Sequence, residues 1–251
     1  MSRPTPVCII ASPRPRTGRT TLARALTEFY RTDAGQAVAY DLDAMDCTLQ
    51  QFLPDCTVPA DIGATQSQVK LFDQLIVADE TPKIVDVSAP AFEAFFNVMA
   101  QIDFAGEARR QSIEPVILFT ASSDPLSIKT YTRMRARFWS IPIAPVYNDG
   151  LVRGHSLRNE FPAVSAVGLP VHVPALSPAL RTLIDTKPFS LMAEHRSPRI
   201  PELLEAELSS WVKRLNLQFR ELGLRMLLAS LRGSLTETLP DQPFTRVRPP
   251  A

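Results

Sequence analysis

The stretch that decides the fold is VCIIASPRPRTGRTTLARAL, residues 7–26. Its apolar start runs into a turn-rich segment, which predicts a short buried β-strand over residues 7–11. Beyond the turn, apolar residues recur at helical spacing: Leu22, Ala25, Leu26 and Phe29. This spacing predicts a helix over residues 20–32 with one apolar face. The segment between them therefore connects the carboxyl end of a strand to the amino end of a helix.

The rest of the chain repeats this alternation of short apolar runs and helix-like segments. Such alternation predicts an α/β fold, with a doubly wound, mainly parallel sheet and helices on both faces. We predict strands at residues 7–11, 37–43, 83–88, 115–121, 141–148 and 169–174. We predict helices at residues 20–32, 66–79, 90–111, 124–139, 178–185 and 201–233.

Length and composition limit the classes of protein. With 251 residues, of which 45% are hydrophobic, the chain is long enough to bury a large core. We predict one domain over residues 1–233, including a long C-terminal helix over 201–233, and a disordered tail over 234–251. The formal net charge of +1 excludes a global basic field, so any nucleic-acid binding is expected to be local.

The cysteines and the N-terminus predict a cytoplasmic protein. The three cysteines form no C-x-x-C pair and indicate neither a disulfide framework nor a metal site. The apolar run near the N-terminus is too short for a signal peptide or a membrane span. No histidine has a ligand or nucleophile at a recognisable spacing. Surface or packing roles are expected for all three: His155, His172 and His195.

Residues 13–20 follow the spacing of the phosphate-binding pattern G-x-x-x-x-G-K-[ST]. In that pattern glycines let backbone N–H groups curl around phosphates, the lysine bridges the outer phosphates, and the hydroxyl ligates magnesium. The four defining positions fall on Pro13, Gly18, Arg19 and Thr20. Only the second glycine and the hydroxyl are kept, so the alternative is a purely structural turn.

Prolines and arginines change the chemistry expected of this loop. Pro13 and Pro15 lack amide donors. Their rings hold φ at about −65°, which conflicts with a loop that needs positive φ. Arg14, Arg16 and Arg19 form a cluster that attracts anions at a helix N-terminus. Each desolvated charge-assisted contact there contributes roughly 1.5–3 kcal/mol. We therefore expect this loop to bind phosphate groups even if it does not catalyse their hydrolysis.

Carboxylates follow two of the predicted strands. Asp41 and Asp43 end the second strand, and Asp86 ends the third. Open α/β sheets bind ligands at the carboxyl ends of their strands, so these side chains are candidate partners for magnesium and water. The alternative is an exposed pair that merely ends a strand. Asn148 begins the sequence N-D-G, which is first a turn signal and second a candidate base-binding position.

This ordered series of motifs resembles the ParA/MinD family of deviant Walker-A ATPases. The family loop K-G-G-x-G-K-[ST]-T aligns without a gap with RPRTGRTT, residues 14–21, with arginine in place of both lysines. Asp41 and Asp43 match the acidic motif after the second strand, and DVSAP, residues 86–90, matches the end of the Walker-B strand. PVILFTASSDPLSI and the strand end VYN, residues 146–148, also resemble family segments. The resemblance covers roughly residues 7–176.

The resemblance implies a P-loop NTPase-like fold with a site for ATP or ADP and Mg²⁺. It implies that Thr20 and Asp41 ligate magnesium and that Asp86 holds the ion through water. Asp43 would orient the attacking water, and Arg14 occupies the slot of the signature lysine that reaches across a dimer interface to the partner's nucleotide. The nucleotide would be held by Arg14, Arg16, Thr17, Gly18, Arg19, Thr20, Thr21 and Asn148.

For function, the resemblance implies an ATP-dependent homodimer that positions or partitions a cargo, such as a plasmid, a chromosome or a protein complex, with slow or no hydrolysis. The opposing hypothesis is a pseudo-ATPase, an interaction or scaffold protein that binds no nucleotide. A third is non-specific DNA binding through a basic helix face, although a solvated face is favoured. Its basic residues are Lys129, Arg133, Arg135 and Arg137, with Arg109 and Arg110 nearby. For the helix 201–233, packing on the core or a dimer partner is favoured over contact with a membrane surface.

Overall fold

In the computed structural model, the described residues, 4–43, 45–151, 157–192 and 200–237, form seven strands and eight helices. The strands are β1 (Thr5–Ala11), β2 (Val38–Asp41), β3 (Thr57–Pro59), β4 (Lys83–Val87), β5 (Ile113–Thr120), β6 (Ile143–Asn148) and β7 (Val171–Val173). The helices are α1 (Arg19–Asp33), α2 (Thr48–Phe52), α3 (Thr65–Leu75), α4 (Phe92–Gln101), α5 (Phe104–Arg110), α6 (Pro125–Arg137), α7 (Pro178–Ile184) and α8 (Glu202–Glu237). Side chains of α8 are described as far as residue 231.

The strands form one parallel sheet in the order β3-β2-β4-β1-β5-β6-β7. β1 lies at the centre, between β4 and β5, and its residues from Val7 to Ala11 are fully buried. A parallel strand covered on both faces has no polar side, which explains the uninterrupted apolar run that opens the sequence. The chain leaves β1 on one side and crosses to the other after β4. The strand order therefore reverses beside β1, which is where open α/β sheets bind ligands.

Helices cover both faces of the sheet, each over its own hydrophobic core. On one face α1, α7 and α8 pack together, and the indole of Trp211 is buried with its Nε1–H donated to the carbonyl of Pro174 at 2.7 Å. On the other face a phenylalanine cluster joins α3, α4 and α5. The predicted doubly wound α/β fold is confirmed, and among the described strands the sheet is entirely parallel.

Each of the predicted strands and helices has a counterpart, with ends shifted by a few residues. Two short elements, β3 and α2, were not predicted. One predicted helix, at residues 90–111, is wrong as a single element, because α4 and α5 are separated at Ile102 and Asp103. Asp103 has a φ of 49°, and its carboxylate accepts the N–H of Gly106 at 3.3 Å, so it begins a new helix.

The C-terminal helix is longer than predicted. α8 continues to Glu237, so residues 234–237 of the predicted disordered tail are helical. The reason is that a lone glycine at position 233 weakens a helix by about 1 kcal/mol without ending it. The other tail residues lie outside the described residues, as do His155 and His195.

The two sides of α8 differ in burial. One side packs on the core, as the spacing predicts: Leu208, Trp211, Leu215, Phe219, Leu222 and Met226. The other side exposes leucines: Leu217, Leu224, Leu228 and Leu231. No helix among the described residues has both the length and the apolar content needed to cross a membrane.

Candidate functional site

The loop between β1 and α1 contains two residues with positive φ. Gly18 has a φ of 83° and is the N-cap residue of α1, and Arg16 has a φ of 59°. Pro13 and Pro15 are thus not the residues that need positive φ, so the conflict expected at the prolines is absent. The proline rings instead flank a turn whose strain is carried by Arg16.

The loop rests against the carboxyl ends of β5 and β6. A Cβ atom at Gly18 would lie 2.2 Å from Nδ2 of Asn148, so the close approach requires glycine as much as the φ angle does. Asn148 donates from Nδ2 to the carbonyl of Thr17 at 3.5 Å, and the hydroxyls of Thr17 and Thr120 lie 2.8 Å apart. Asn148, which was predicted to contact a base, therefore holds the loop in place.

Helix α1 begins directly at this loop, and no described side chain caps it. The first N–H groups of a helix have no partner within the helix, and their partial positive charge favours an anion. Arg19, Thr20 and Thr21 form the first turn and line the cavity in front of it. The backbone and the cationic side chain therefore present donors to the same space.

That cavity has a volume of about 1210 Å³. Its loop-side wall contains most of the predicted site: Arg16, Thr17, Gly18, Arg19, Thr20, Thr21, Asp43 and Asn148. Further lining residues come after β7 and from the region of α7: Pro174, Leu176, Arg181 and Lys187. Small-molecule pockets commonly measure roughly 300–1,000 Å³, so the space accommodates a molecule the size of a nucleotide. The sequence motifs pointed to the loop and gave no sign of the lining residues that follow β7.

Arg19 and Asp86 form a buried ion pair below the loop. Nε of Arg19 donates to Oδ1 of Asp86, and Oγ1 of Thr20 donates to Oδ2 at 2.8 Å. The side chain of Asp86 is 1% exposed and that of Arg19 is 10% exposed. Burial raises the pKa of Asp86 above its ordinary value, while the charge of Arg19 and the hydroxyl of Thr20 oppose that rise. Thr20 and Asp86, two of the three residues predicted at magnesium, are thus in contact, and Arg19 also bonds to the carboxylate of Asp86.

Asp41 is buried and holds the segment that leads into α2. Its Oδ2 accepts the N–H groups of Leu49 and Gln50 at 2.7 and 3.1 Å, and its Oδ1 accepts the N–H of Asp43 at 3.0 Å. Burial raises the pKa of Asp41, and these hydrogen bonds lower it in part. The contacts give Asp41 a structural role at the start of a helix that the sequence patterns did not predict.

Asp43 lines the cavity, and its oxygens are also engaged. Oδ1 accepts the N–H of Asp46 at 3.3 Å, and Oδ2 accepts the hydroxyl of Thr48 at 3.3 Å. These contacts are long, so Asp43 is held less firmly than Asp41. The carboxylate predicted to orient water therefore lies at the wall of the cavity, where two hydrogen bonds hold it.

The carboxylates at this edge do not fit a resident magnesium ion. Mg²⁺ requires oxygen ligands in a near-ideal octahedral shell. Both oxygens of Asp41, Asp43 and Asp86 accept hydrogen bonds from protein donors, and Asp86 is already neutralised by Arg19. Over the part of the chain that the structure describes, no group of three or more His, Cys, Asp or Glu could hold a metal ion. The predicted ligands Thr20, Asp41 and Asp86 instead bind protein groups.

Arg14 lies at the rim of the site, where it pairs with Asp124. Its Nε and Nη2 both lie 3.0 Å from Oδ1 of Asp124, and its side chain is 47% exposed. Asp124 also accepts the N–H of Leu126 at 2.9 Å and so caps α6. The bond from Arg14 lowers the pKa of Asp124. Arg16 is exposed and has no hydrogen-bond or ion-pair partner among the described residues.

Sequence reasoning missed Arg24, which lies on α1 and borders the same cavity. It is 2% exposed and donates to the carbonyls of Ile184 and Phe189 at 2.7 and 2.6 Å. Its guanidinium also lies 4.2 Å from the ring centroid of Phe52. Because two of these partners lie 160 and 165 residues away in the sequence, no local pattern could signal the contact.

The basic face considered for DNA binding is partly neutralised by neighbouring side chains. Arg133 forms an ion pair with Glu93, and Arg137 donates to Oδ1 of Asn97 at 2.7 Å. Lys129 is exposed on the same helix, α6. Such contacts are typical of a solvated helix face, which is the interpretation that the charge density favoured.

No model of a known protein family matches the sequence, and no curated protein matches it. The fold and the site therefore define only a class: a parallel α/β protein whose central strand leads through an arginine-rich loop into an uncapped helix. Residues of that loop line a cavity at the carboxyl edge of the sheet.

Proposed function

We propose that this protein is a divergent ParA/MinD-like nucleotide-binding protein, which binds ATP or ADP at residues 14–21 with weak or no hydrolysis. The supporting observation is the convergence of the uncapped start of α1, the guanidinium of Arg19 and the hydroxyl of Thr20 on one cavity of about 1210 Å³. Helix N-termini with cationic side chains favour phosphate groups. The phosphates lie at this turn, and the base extends toward Asn148 and the wall after β7.

Weak hydrolysis is expected because the groups that would catalyse it are engaged elsewhere. Phosphoryl transfer depends on charges and a nucleophile that are held in position for the transition state. Arg19 is bound to Asp86, Arg14 to Asp124, and Asp43 to the segment before α2. A guanidinium is also longer and flatter than the lysine ammonium that such loops use. Binding therefore needs no rearrangement of these pairs, whereas turnover does.

In this proposal the nucleotide controls dimerisation across the loop face, and the dimer positions or partitions a cargo. Pro15 and Arg16 are exposed at the tip of the loop, beside the half-exposed Arg14. A second copy that approaches this face meets the bound phosphates and two guanidinium groups. Like-charged loops repel one another until an anion lies between them, so the nucleotide favours the dimer.

A second candidate function is a nucleotide-free interaction or scaffold protein. The two intrachain pairs, Arg19 with Asp86 and Arg14 with Asp124, favour it because they already neutralise two of the three loop arginines. In that case the loop is a fixed turn between β1 and α1, and Arg16, the third loop arginine, contacts an acidic partner.

Calorimetric titration with ATP and with ADP separates the two candidates. We expect saturable binding, and we expect Arg16→Glu to weaken it by about tenfold or more, since the reversal places a carboxylate beside the phosphates. The matched control is Arg109→Glu, because Arg109 is an exposed arginine near the amino ends of the strands, away from the loop. An intact fold without heat of binding at about 2 mM nucleotide would favour the scaffold.

Dimerisation needs a separate measurement. We expect light scattering coupled to size-exclusion chromatography to report a larger mass with ATP than without it. A mass that does not change when calorimetry reports saturation would remove the switch from the proposal and leave nucleotide binding intact.

A further inference from the structure

We propose that Arg19 takes the place of the magnesium ion in this site, so that the protein binds its phosphate ligand in the metal-free form. The inference rests on the proposed function for the identity of the ligand. It concerns the class of ligand: a polyphosphate anion without a bound divalent cation, in place of the magnesium complex in which such ligands ordinarily circulate.

Asp86 is already fully occupied by protein donors. The resemblance implies that this carboxylate holds magnesium through water, but both of its oxygens accept bonds from the chain, one from Arg19 and one from Thr20. Because the side chain of Asp86 is only 1% exposed, a hydrated ion would have to displace the guanidinium of Arg19 to reach it. Separating the pair would leave two buried charges without compensation, which is strongly unfavourable.

The guanidinium of Arg19 has donors left for a ligand. Arg19 uses Nε on Asp86, and within the described chain its two Nη groups have no hydrogen-bond partner. The side chain lines the cavity. A guanidinium carries five N–H donors in a planar fork, so one edge can bind a carboxylate while the other binds a phosphate. A bridge from carboxylate to phosphate is the position that a metal ion would occupy, and here a fixed organic cation fills it.

The neighbouring carboxylates Asp41 and Asp43 offer the ion no other position. Asp41 accepts three backbone N–H groups, and Asp43 accepts one N–H and one hydroxyl. Thr20, the predicted direct ligand, donates its hydroxyl hydrogen to Asp86 and supplies no negative charge of its own. Magnesium would therefore enter only as part of its nucleotide complex. That complex carries less negative charge than the free nucleotide, and the water bound to its metal competes with Arg19 for the phosphate oxygens.

Calorimetry with ATP in EDTA and with ATP in excess magnesium tests the inference directly, with inorganic tripolyphosphate as a base-free probe. We expect equal or tighter binding without the metal for both probes. Binding that is about tenfold or more tighter with magnesium would overturn the inference while leaving nucleotide binding established.

The variant Arg19→Lys assigns the effect to this side chain. A lysine ammonium is compact and cannot bind a carboxylate and a phosphate along two edges. We therefore expect weaker binding of metal-free ATP and a new preference for its magnesium complex. The control is Arg110→Lys, because Arg110 is exposed and lies just before the amino end of β5. The same metal independence in Arg19→Lys as in the wild type would contradict a role for Arg19.

A measurement without nucleotide keeps the inference separate from the proposed function. Mn²⁺ titrated into the wild-type protein is followed by electron paramagnetic resonance, and we expect no stoichiometric binding. One bound Mn²⁺ per chain that disappears in Asp86→Asn would overturn the inference whatever nucleotides do. If no nucleotide binds at all, the proposed function fails and the ligand class with it, while the Mn²⁺ result alone decides whether Arg19 excludes the metal.

Discussion

Arg19 and Arg24 lie five residues apart on α1 and are both largely shielded from solvent, yet their partners differ in kind. Arg19 pairs with a carboxylate at the wall of a cavity, whereas Arg24 bonds to two backbone carbonyls and lies over the ring of Phe52. The two carbonyls and the ring of Phe52 occupy the guanidinium of Arg24, which leaves little of it for a ligand. The fork of Arg19 still has donors for a ligand. The partners of a buried cation therefore distinguish a group that supports folding from one that can bind.

The surroundings of Arg24 form an inner seam, which we define as Arg24, Glu28 and residues 184–191. Glu28 accepts the N–H of Leu191 with both carboxylate oxygens, at 3.1 and 2.9 Å. Arg24 and Glu28 thus tie α1 to a segment that has little regular structure of its own. Among the described residues, the loop of residues 14–21 has no comparable set of contacts. Asn148 donates to the carbonyl of Thr17, and the hydroxyls of Thr17 and Thr120 bond to each other.

The largest effect in this comparison is expected from Arg24→Ala. The change removes the partner of two buried carbonyls and the cation over Phe52, and we expect it to lower the free energy of unfolding by about 3 kcal/mol or more. Urea unfolding followed by circular dichroism measures the loss. Arg31→Ala, at a partly exposed position on the same helix, is the control and should cost less than about 1 kcal/mol. A similarly small loss in Arg24→Ala would contradict the distinction between Arg19 and Arg24.

Gly18→Ala is expected to have the next largest effect, and it concerns the loop. The new Cβ meets a φ of 83° and the amide of Asn148, so we expect a loss of about 2 kcal/mol. The control is Gly35→Ala, because Gly35 has a φ of 77° and nothing within 4 Å of a Cβ position. It isolates the backbone cost, which we expect to be about 1 kcal/mol. Equal losses in urea unfolding would indicate that Asn148 yields to the methyl group.

The same contrast explains what could be predicted from the sequence. The central strands are covered on both faces, so uninterrupted apolar runs marked them, and helical spacing marked the buried face of α1. β3 was missed because Thr57–Pro59 is three residues long and holds a proline. The break between α4 and α5 was missed because apolar residues continue across it, although Asp103 is a residue typical of an N-cap.

The candidate site was predictable only in its location. A strand-to-helix loop, with acidic residues after the neighbouring strands, placed it at the carboxyl edge of the sheet. The pairing of charges was not predictable, because Arg19 and Asp86 are 67 residues apart, and Arg14 and Asp124 are 110 apart. A motif position indicates which ligand a residue is expected to bind. In the folded chain, however, the same residue pairs with the nearest opposite charge. The contacts of the inner seam were not predicted for the same reason, because they also join residues far apart in the sequence.

A smaller effect is expected from pH acting on Glu28. Burial raises the pKa of Glu28 from its ordinary value of 4.5, so the folded state holds this proton more tightly than the unfolded state. The stabilising contribution is therefore fully present below the ordinary pKa and is lost as the pH rises through the folded-state pKa. We expect Glu28→Gln to be more favourable relative to the wild type at pH 8 than at pH 4, by chemical denaturation. A difference that does not vary with pH would contradict a raised pKa at the seam.

The smallest effect on stability is expected from Arg14→Ala, although it is the sharpest test of the loop. An exposed ion pair contributes about 0.5 kcal/mol or less, so loss of the contact with Asp124 should leave urea unfolding nearly unchanged. If Arg14 reaches a partner's nucleotide, the same change should abolish the increase in mass with ATP while calorimetry still reports binding. Arg133→Ala is the matched control, since Arg133 is also half-exposed and pairs with one carboxylate, that of Glu93, on α6 and α4. An unchanged dimer in Arg14→Ala would restrict Arg14 to holding the loop against the start of α6. A loss of stability well above 1 kcal/mol would instead place Arg14 with Arg24, among the side chains that the fold itself requires.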